Sequence, residues 1–100
     1  MSTPSAQDQP VLGQVTLRYW AAARAAVGAA EEQVEVTGPV SLAELVAGAL
    51  ERHGSSERLS GLLATCSVLV GDRPVASADP AAVEVEPGET VEFLPPFAGG

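Results

Sequence analysis

The sequence predicts an α+β domain in which a mixed sheet wraps around one main helix. Three observations predict this class: an alternating apolar strand near the start, one strongly amphipathic helix in the middle, and several short strand-like stretches in the second half. The 100 residues are enough for one domain with a single modest core. No stretch repeats at a fixed period, which excludes repeat architectures. In chain order we expect a strand, a short helix, a strand, the main helix, a turn and three further strands.

The first predicted strand centres on Leu17. Val15, Leu17 and Tyr19 alternate with a second set of residues, which is the period-two pattern of a half-buried strand. Residues 21–27 are nearly all alanine, a composition that favours helix, and Gly28 is suited to end that helix. A short helix should therefore follow the first strand directly.

A second strand is predicted over residues 33–37, where apolar and polar residues alternate again. Gly38 and Pro39 end it, because both are poorly suited to the interior of a strand. We expect this strand to pair antiparallel with the first. The segment between Val36 and Ser41 is too short to contain another strand.

The main helix is predicted to begin after Ser41. Ser41 and Glu44 have the spacing of a capping box, in which the serine hydroxyl accepts from the backbone of Glu44 and the glutamate carboxylate reaches back. An apolar stripe at helical spacing then faces the core, and its members are Leu42, Leu45, Val46, Ala49 and Leu50. Gly54 should close the helix.

The second half of the chain is predicted to be richer in strands. Residues 56–63 place leucines at helical spacing, but Gly61 interrupts them, so a helix and an irregular or 3-10 turn both remain open. Residues 66–70 form a short apolar strand. The turn at 71–74 then leads into a further strand segment at Val75.

The last strand is predicted over residues 90–94, after a loop at 76–82, a brief extended piece at 83–85 and a turn at 86–89. Its residues alternate between two faces, with Val91 and Phe93 on one side and Glu92 and Leu94 on the other. Apolar side chains therefore lie on both faces where the strand leaves the domain.

The two ends of the chain differ in composition from the domain between them. Residues 1–10 are mainly Ser, Gln, Asp and Pro, which cannot bury enough apolar surface to offset the entropy of ordering, so we expect a disordered N-terminal tail. Residues 11–94 form the domain. Residues 95–100 are expected to be an extended C-terminal tail that reaches about 20 Å and ends in Gly99 and Gly100.

Composition limits the classes of partner. A formal charge of −8 repels phosphate backbones, which argues against nucleic acid and favours a basic groove on another protein. Aromatic residues are only 4% of the chain, and the expected large members of the core are Tyr19, Trp20, Phe93 and Phe97. No apolar stretch is long enough for a membrane span or an export signal, and the single Cys66 cannot form an internal disulfide, so we expect a cytoplasmic protein.

The sequence offers few groups for catalysis. It has no glycine-rich nucleotide loop, so we expect no nucleotide cofactor bound by this chain. His53 is the only histidine, which argues against a metal set and a serine–histidine relay, and we expect a solvated residue at the end of the main helix. Cys66 begins an apolar strand and is expected to be buried rather than reactive.

Four acidic residues are more typical of a solvated surface than of a cation site, and they are Glu84, Glu86, Glu89 and Glu92. Three arginines are more typical of surface ion pairs than of an anion site, and they are Arg18, Arg24 and Arg73. The C-terminal stretch is the remaining candidate. Most chain ends are disordered and without consequence, but residues 93–97 are apolar and favour association unless a partner covers them.

The ending also resembles a known family. Residues 87–100, Pro-Gly-Glu-Thr-Val-Glu-Phe-Leu-Pro-Pro-Phe-Ala-Gly-Gly, resemble the end of the MoaD/ThiS-type ubiquitin-like sulfur carriers, in particular the small subunits of molybdopterin synthase. The resemblance extends back to Val15 through the alanine-rich helix with Arg24, the helix start at 41–45 and the strand at 68–71. A diglycine alone is a weak signal, whereas a diglycine that ends the sequence after Phe-x-Pro-Pro is specific.

This resemblance implies a β-grasp, or ubiquitin-like, fold and a role in sulfur transfer. An ATP-dependent activating enzyme of the MoeB type would adenylate the carboxylate of Gly100, which Gly99 helps to present, and a sulfur donor would convert the carboxylate to a thiocarboxylate. A large subunit of the MoaE type would supply the catalytic groups and build molybdopterin, so this chain would not be catalytic alone. The residues expected to contact these partners are Phe93, Leu94, Pro95, Pro96, Phe97 and Ala98.

Other functions could use the same terminus. Sulfur carriers of this fold also serve thiamine, cysteine and thiolated tRNA, and a ubiquitin-like modifier would form an isopeptide bond through the same carboxylate. A plain interaction domain would use only the apolar stretch. The sequence has no lysine, which prevents an activated terminus from acylating a neighbouring copy, although a coding bias toward arginine explains this equally well.

Overall fold

The structure, a computed structural model, describes residues 13–75 and 79–96. The elements in chain order are β1 (Gly13–Tyr19), α1 (Ala21–Val27), β2 (Glu31–Val36), β3 (Val40–Ser41), α2 (Leu42–Arg52), α3 (Glu57–Thr65), β4 (Ser67–Val70), β5 (Arg73–Val75), a 3-10 turn (Pro80–Ala82), β6 (Glu84–Val85) and β7 (Thr90–Leu94). The predicted N-terminal tail at 1–10 lies outside the described residues. β1, α1 and β7 lie where they were predicted, and β2 begins two residues earlier than the alternation indicates.

Five strands form one mixed sheet in the order β2-β1-β7-β4-β5. Strand β1 pairs antiparallel with β2, as predicted, and parallel with β7, while β4 pairs antiparallel with both β7 and β5. The predicted α+β class with a mixed sheet is therefore confirmed. Because β7 is the central strand, it has a hydrogen-bonded neighbour on each edge.

A second sheet, formed by β3 and β6, corrects one prediction. The two strands are antiparallel, with Val40 opposite Val85. The prediction that residues 36–41 leave no room for a strand is wrong, because two residues suffice for a bridge when the partner strand is equally short. The bridge also fixes the start of α2, since the Leu42 N–H donates to the Val83 carbonyl at 2.9 Å.

Helix α2 has the predicted capping box. The Ser41 hydroxyl accepts the Glu44 N–H at 3.0 Å, and the Glu44 carboxylate accepts the Ser41 N–H at 3.1 Å. The buried members of its apolar stripe are Leu42, Leu45 and Ala49. Gly54 follows the helix at φ 101°, a left-handed conformation that turns the chain so that the Ser55 N–H donates to the Leu50 carbonyl at 2.6 Å.

The segment left open between helix and turn is helix α3. Its N-cap is Ser56, whose hydroxyl accepts the Leu59 N–H at 3.0 Å. Leu59 and Leu63 are buried against the core. Gly61 lies on the exposed side, so it lowers helix propensity without leaving a gap in the packing.

The core lies between the helices and the inner face of the five-stranded sheet. Its buried side chains are Val15, Leu17, Tyr19, Ala23, Val36, Leu42, Leu45, Ala49, Leu59, Leu63, Val70, Val85, Val91 and Phe93. Tyr19 and Phe93 are the largest of them, as predicted. The prediction that Trp20 also fills the core is wrong, because Trp20 follows buried Tyr19 in the alternation and is 42% exposed.

Candidate functional site

Strand β7 leads to the predicted C-terminal tail, and the sheet holds it on both edges. Toward β1, the Trp20 N–H donates to the Phe93 carbonyl at 3.1 Å. Toward β4, residues Val91 to Leu94 pair in antiparallel register, and the Gly71 N–H beyond them donates to the Thr90 carbonyl at 2.8 Å. The base of the tail is therefore fixed relative to the domain.

The inner face of β7 belongs to the core. Val91 and Phe93 are 0% exposed, and the ring of Phe93 stacks on that of Tyr19 with centroids 5.6 Å apart. The expectation of an exposed Phe93 at a partner interface is therefore wrong, because its side chain cannot be reached without opening the core. The predicted alternation was correct, but only alternate apolar residues of this stretch face outward.

The outer face of β7, on the side opposite the core, carries Glu92 and Leu94. Leu94 and Pro95 are half-buried, and Pro96 is exposed. The Trp20 indole N–H donates to Glu92 Oε1 at 2.9 Å. An aromatic side chain with a defined orientation thus borders the point where the tail leaves the domain.

The other predicted site residues are Phe97, Ala98, Gly99 and Gly100, which lie outside the described residues. Their roles as partner contacts and as the acylation site stay predictions. The structure places their attachment point, because Pro95 follows directly on the central strand. The six residues from Pro95 to Gly100 span at most about 20 Å.

A polar cluster centred on Glu32 ties β1 and β2 to the end of α2. The Tyr19 hydroxyl donates to Glu32 Oε1 at 2.8 Å, and Arg52 Nη2 donates to the same oxygen at 3.1 Å. His53 Nε2 lies 2.6 Å from Glu32 Oε2. The expectation of a solvated His53 is wrong, since the side chain is only 20% exposed and contacts this carboxylate.

The contacts within the cluster favour the ionised carboxylate of Glu32 and the protonated phenol of Tyr19. Burial alone would raise the pKa of Glu32, but hydrogen bonds from Arg52, Tyr19 and His53 outweigh that effect and hold the pKa below its usual value. Burial, and then the neighbouring Glu32 carboxylate, raise the pKa of Tyr19. A carboxylate that accepts and a phenol that donates make this cluster a structural tie between sheet and helix.

The remaining candidates are structural or surface groups. Burial raises the pKa of the Cys66 thiol, whose Sγ lies 3.3 Å from the Leu62 carbonyl. Glu89 accepts from Arg73 at 3.1 Å and from the Glu86 N–H at 2.9 Å.

Within the described part of the chain, no three His, Cys, Asp or Glu side chains lie close enough to hold a metal ion together. No helix in that part is long and apolar enough to cross a membrane.

Two arrangements of the structure were not predicted from the sequence. Trp20 beside the tail could have been found, because it shares the outward parity of Thr16 and Arg18 in the same alternating stretch. The Glu32 cluster could not, since its contacts join residues up to 21 positions apart with no local motif.

Comparison with known proteins agrees with this geometry. The profile of the ThiS family matches residues 17–100. No curated protein sequence matches the chain.

Solved structures share the fold. Molybdopterin converting factor, subunit 1, of Pyrococcus furiosus is 22% identical with a TM-score of 0.67, over 85% of this chain and 99% of that one. Small archaeal modifier protein 1 of Haloferax volcanii is 15% identical with a TM-score of 0.67, over 85% and 99%. A chain from the complex of subunits 1 and 2 of the Helicobacter pylori molybdopterin-converting factor is 21% identical with a TM-score of 0.57, over 87% and 99%.

At these identities the structural likeness shows the fold alone, and it confirms the predicted β-grasp arrangement. The family match spans residues 17–100, which run from β1 to the C-terminal glycines. The chain therefore belongs to the ThiS family of ubiquitin-like sulfur carriers.

Proposed function

We propose that this chain is the small subunit of a molybdopterin synthase and that Gly100 carries sulfur as a thiocarboxylate. The observation that carries the proposal is the ending Phe-Leu-Pro-Pro-Phe-Ala-Gly-Gly, attached to the central strand of the sheet. Two prolines stiffen the base of the tail, and two glycines keep its end slim. Such a tail suits the entry of a carboxylate into a narrow active site on a partner.

The proposed chemistry has two steps. A carboxylate oxygen of Gly100 attacks the α-phosphorus of ATP on a MoeB-like adenylating enzyme, and pyrophosphate leaves. A sulfur donor at the oxidation level of sulfide then attacks the acyl carbon, and AMP leaves with the bonding electron pair. The activation is needed because a free carboxylate lacks a good leaving group, and the ATP is held by the activating enzyme rather than by this chain.

The acceptor in this proposal is a MoaE-like large subunit, which supplies the catalytic groups and receives the sulfur on its pterin substrate. The fold is similar to that of a chain in the Helicobacter pylori complex of subunits 1 and 2, which supports a partner of this kind. The charge of −8 favours a partner with a basic groove.

A second function is favoured by the similarity to small archaeal modifier protein 1. In that case the adenylated Gly100 is attacked by an amine of another protein, and an isopeptide bond forms as AMP leaves. The first step is common to both functions, so the fate of the acyl carbon decides between them. A carrier for thiamine, cysteine or tRNA thiolation differs only in the acceptor of the sulfur.

Intact mass spectrometry of the protein from its native cell tests the proposal. We expect a fraction of the wild-type chain to be heavier by the replacement of one oxygen with sulfur, and Gly100→Ala to lose this species. Gly61→Ala is the matched control, because Gly61 is exposed on α3 and an added Cβ would meet no other atom within 4 Å, so this variant should behave like the wild type.

The outcomes separate the functions. If the spectra show only the free acid and branched conjugates, the chain is a protein modifier and not a sulfur carrier. If the wild-type cell contains the thiocarboxylate but deletion of the gene leaves the molybdopterin level unchanged, the chain is a sulfur carrier for another pathway.

A further inference from the structure

The five-stranded sheet has two edges, and they differ in how open they are to a further strand. On one side the last strand is β5, which is three residues long and contains Pro74, so it offers little backbone for pairing. On the other side the last strand is β2, which is six residues long and contains neither proline nor glycine. Within residues 13–75 and 79–96, β2 pairs only with β1. Strand β2 is therefore the edge that another strand can join.

The register shows which backbone groups of β2 point away from the sheet. The Tyr19 N–H donates to the Ala30 carbonyl at 2.9 Å, and the pairing with β1 continues from there along all of β2 without a bulge. Because hydrogen-bonded pairs alternate along an antiparallel ladder, the even-numbered residues of β2 bond to β1. The N–H and C=O groups of Glu31, Gln33 and Glu35 therefore point outward from the edge.

The side chains along this edge differ between the two faces of the sheet. Glu31 and Glu35 are exposed on the outer face, with exposed Gln33 between them. On the inner face, Glu32 is engaged by the polar cluster described above, and half-buried Val34 packs against the core. A strand that pairs with β2 thus meets two carboxylates and an amide on one face and an apolar side chain on the other.

We propose that the edge of β2 binds an extended segment of another protein, with basic side chains on one face and apolar side chains on the other. Main-chain hydrogen bonds to β2 would hold the segment, and the side chains on alternate positions would select it. Basic side chains on the outer face complement Glu31 and Glu35, and the charge of −8 on the whole chain attracts such a segment from a distance.

The same charges disfavour a second copy of this chain at the edge. If two β2 strands paired antiparallel about Gln33, Glu31 of each copy would lie opposite Glu35 of the other, and like charges directly opposite each other are destabilising. Charged side chains commonly protect the edge of a sheet against such self-association. The edge is therefore closed to its own copy and open to a basic strand.

Strand β2 is held in place before any segment binds. The ladder with β1 fixes its backbone, and Glu32 ties it to the end of α2 through Arg52 at 3.1 Å. A template that is already ordered loses little conformational entropy on pairing. A segment at this edge lies three strand positions from β7, or about 14 Å, so the C-terminal tail stays free for its own partner. The edge is thus a second docking site, and the proposal does not depend on the fate of Gly100.

The test uses a synthetic peptide as the probe. The peptide is dye-labelled Ser-Arg-Val-Thr-Val-Arg-Ser with blocked ends, and its acidic counterpart carries Glu in place of both Arg. Fluorescence polarisation with the full chain should show the basic peptide binding about tenfold or more tightly than the acidic one, by a ratio that falls as salt rises. The double variant Glu31→Lys and Glu35→Lys should reverse this preference.

A second measurement tests the backbone pairing. Binding of the basic peptide should slow amide hydrogen exchange, followed by NMR, at Glu31, Gln33 and Glu35, whereas the amides between them already bond to β1 and should change little. Gln33→Pro removes the central outward N–H without breaking a bond to β1, and it should weaken binding about tenfold. Gln33→Thr keeps that N–H and suits a strand, so it is the matched control and should bind like the wild type.

Several outcomes would overturn the proposal. Equal binding of the two peptides, or slowed exchange that does not alternate along β2, excludes pairing at this edge. Slow exchange at Gln33 without peptide assigns the edge to a second copy if it depends on protein concentration, and to another segment of the same chain if it does not. Circular dichroism shows whether each variant is folded, and if Gln33→Pro is not, the charge reversal and the exchange pattern still decide. Absence of the thiocarboxylate from native cells would refute the proposed function but not this docking site.

Discussion

Phe93 and Leu94 are neighbours at the end of the same strand, yet they lie in opposite environments. Phe93 is 0% exposed and stacks on Tyr19, whereas Leu94 is half-buried on the outer face beside Trp20. The difference comes from the period of two along a strand and not from hydrophobicity, which is high for both side chains. An apolar C-terminal strand therefore contributes one set of residues to folding and leaves the alternate set available to a partner.

The largest effect that this comparison predicts is on stability. Phe93→Ala should lower the free energy of unfolding by about 3 to 5 kcal/mol, because it removes a fully buried ring and leaves a cavity. Leu94→Ala should lower it by about 1 kcal/mol or less, because its side chain is already partly exposed. Urea unfolding followed by circular dichroism measures both.

Phe93→Leu keeps this test informative if the alanine variant does not fold, since a smaller apolar side chain at the same site should cost about 1 to 2 kcal/mol. Equal losses at Phe93 and Leu94 would contradict the division between the two faces of β7.

The next largest effect on stability is expected at Glu32, which accepts a hydrogen bond from Tyr19 on the inner face of the sheet. Glu32→Gln should lower stability by about 1 to 2 kcal/mol at neutral pH, since the charged partner of three hydrogen-bonding groups is lost. Because the pKa of Glu32 is lower in the folded than in the unfolded chain, the unfolded chain binds more protons between the two values. The stabilisation is therefore present above the ordinary glutamate pKa and is lost as the pH falls through the folded value.

Urea unfolding across the acid range should show this pH dependence in the wild type and a weaker one in Glu32→Gln. Glu31→Gln is the matched control, because Glu31 is exposed and its carboxylate lies 3.6 Å from Arg18 Nε. An unchanged acid dependence in Glu32→Gln, or an equal effect of the two substitutions, would show that the cluster does not stabilise the fold.

The sequence predicts those parts of the fold that local patterns encode. The capping box at Ser41 and the alternation along β7 each depend on a few adjacent residues, and both were confirmed. Strand β3 was missed because its identity comes from pairing with β6, more than 40 residues away. His53 was misjudged for the same reason, since its partner Glu32 lies on another element. At the site, the alternation along β7 correctly places Phe93 and Leu94 on opposite faces. The prediction that both side chains belong to one exposed apolar surface ignored this alternation.

The smallest predicted effect is on the outer face. Arg18→Ala removes an ion pair with Glu31 at 3.6 Å and a contact with the Trp20 ring, but both pairs are exposed, so the loss of stability should be less than about 1 kcal/mol and should shrink as salt screens the charges. Arg73→Ala, which breaks another exposed pair, should behave alike. Urea unfolding at low and high salt measures the difference. If Arg18→Ala instead lost as much stability as Glu32→Gln, the outer face would support the fold as strongly as the inner face does, and its apolar residues would no longer be free to serve a partner.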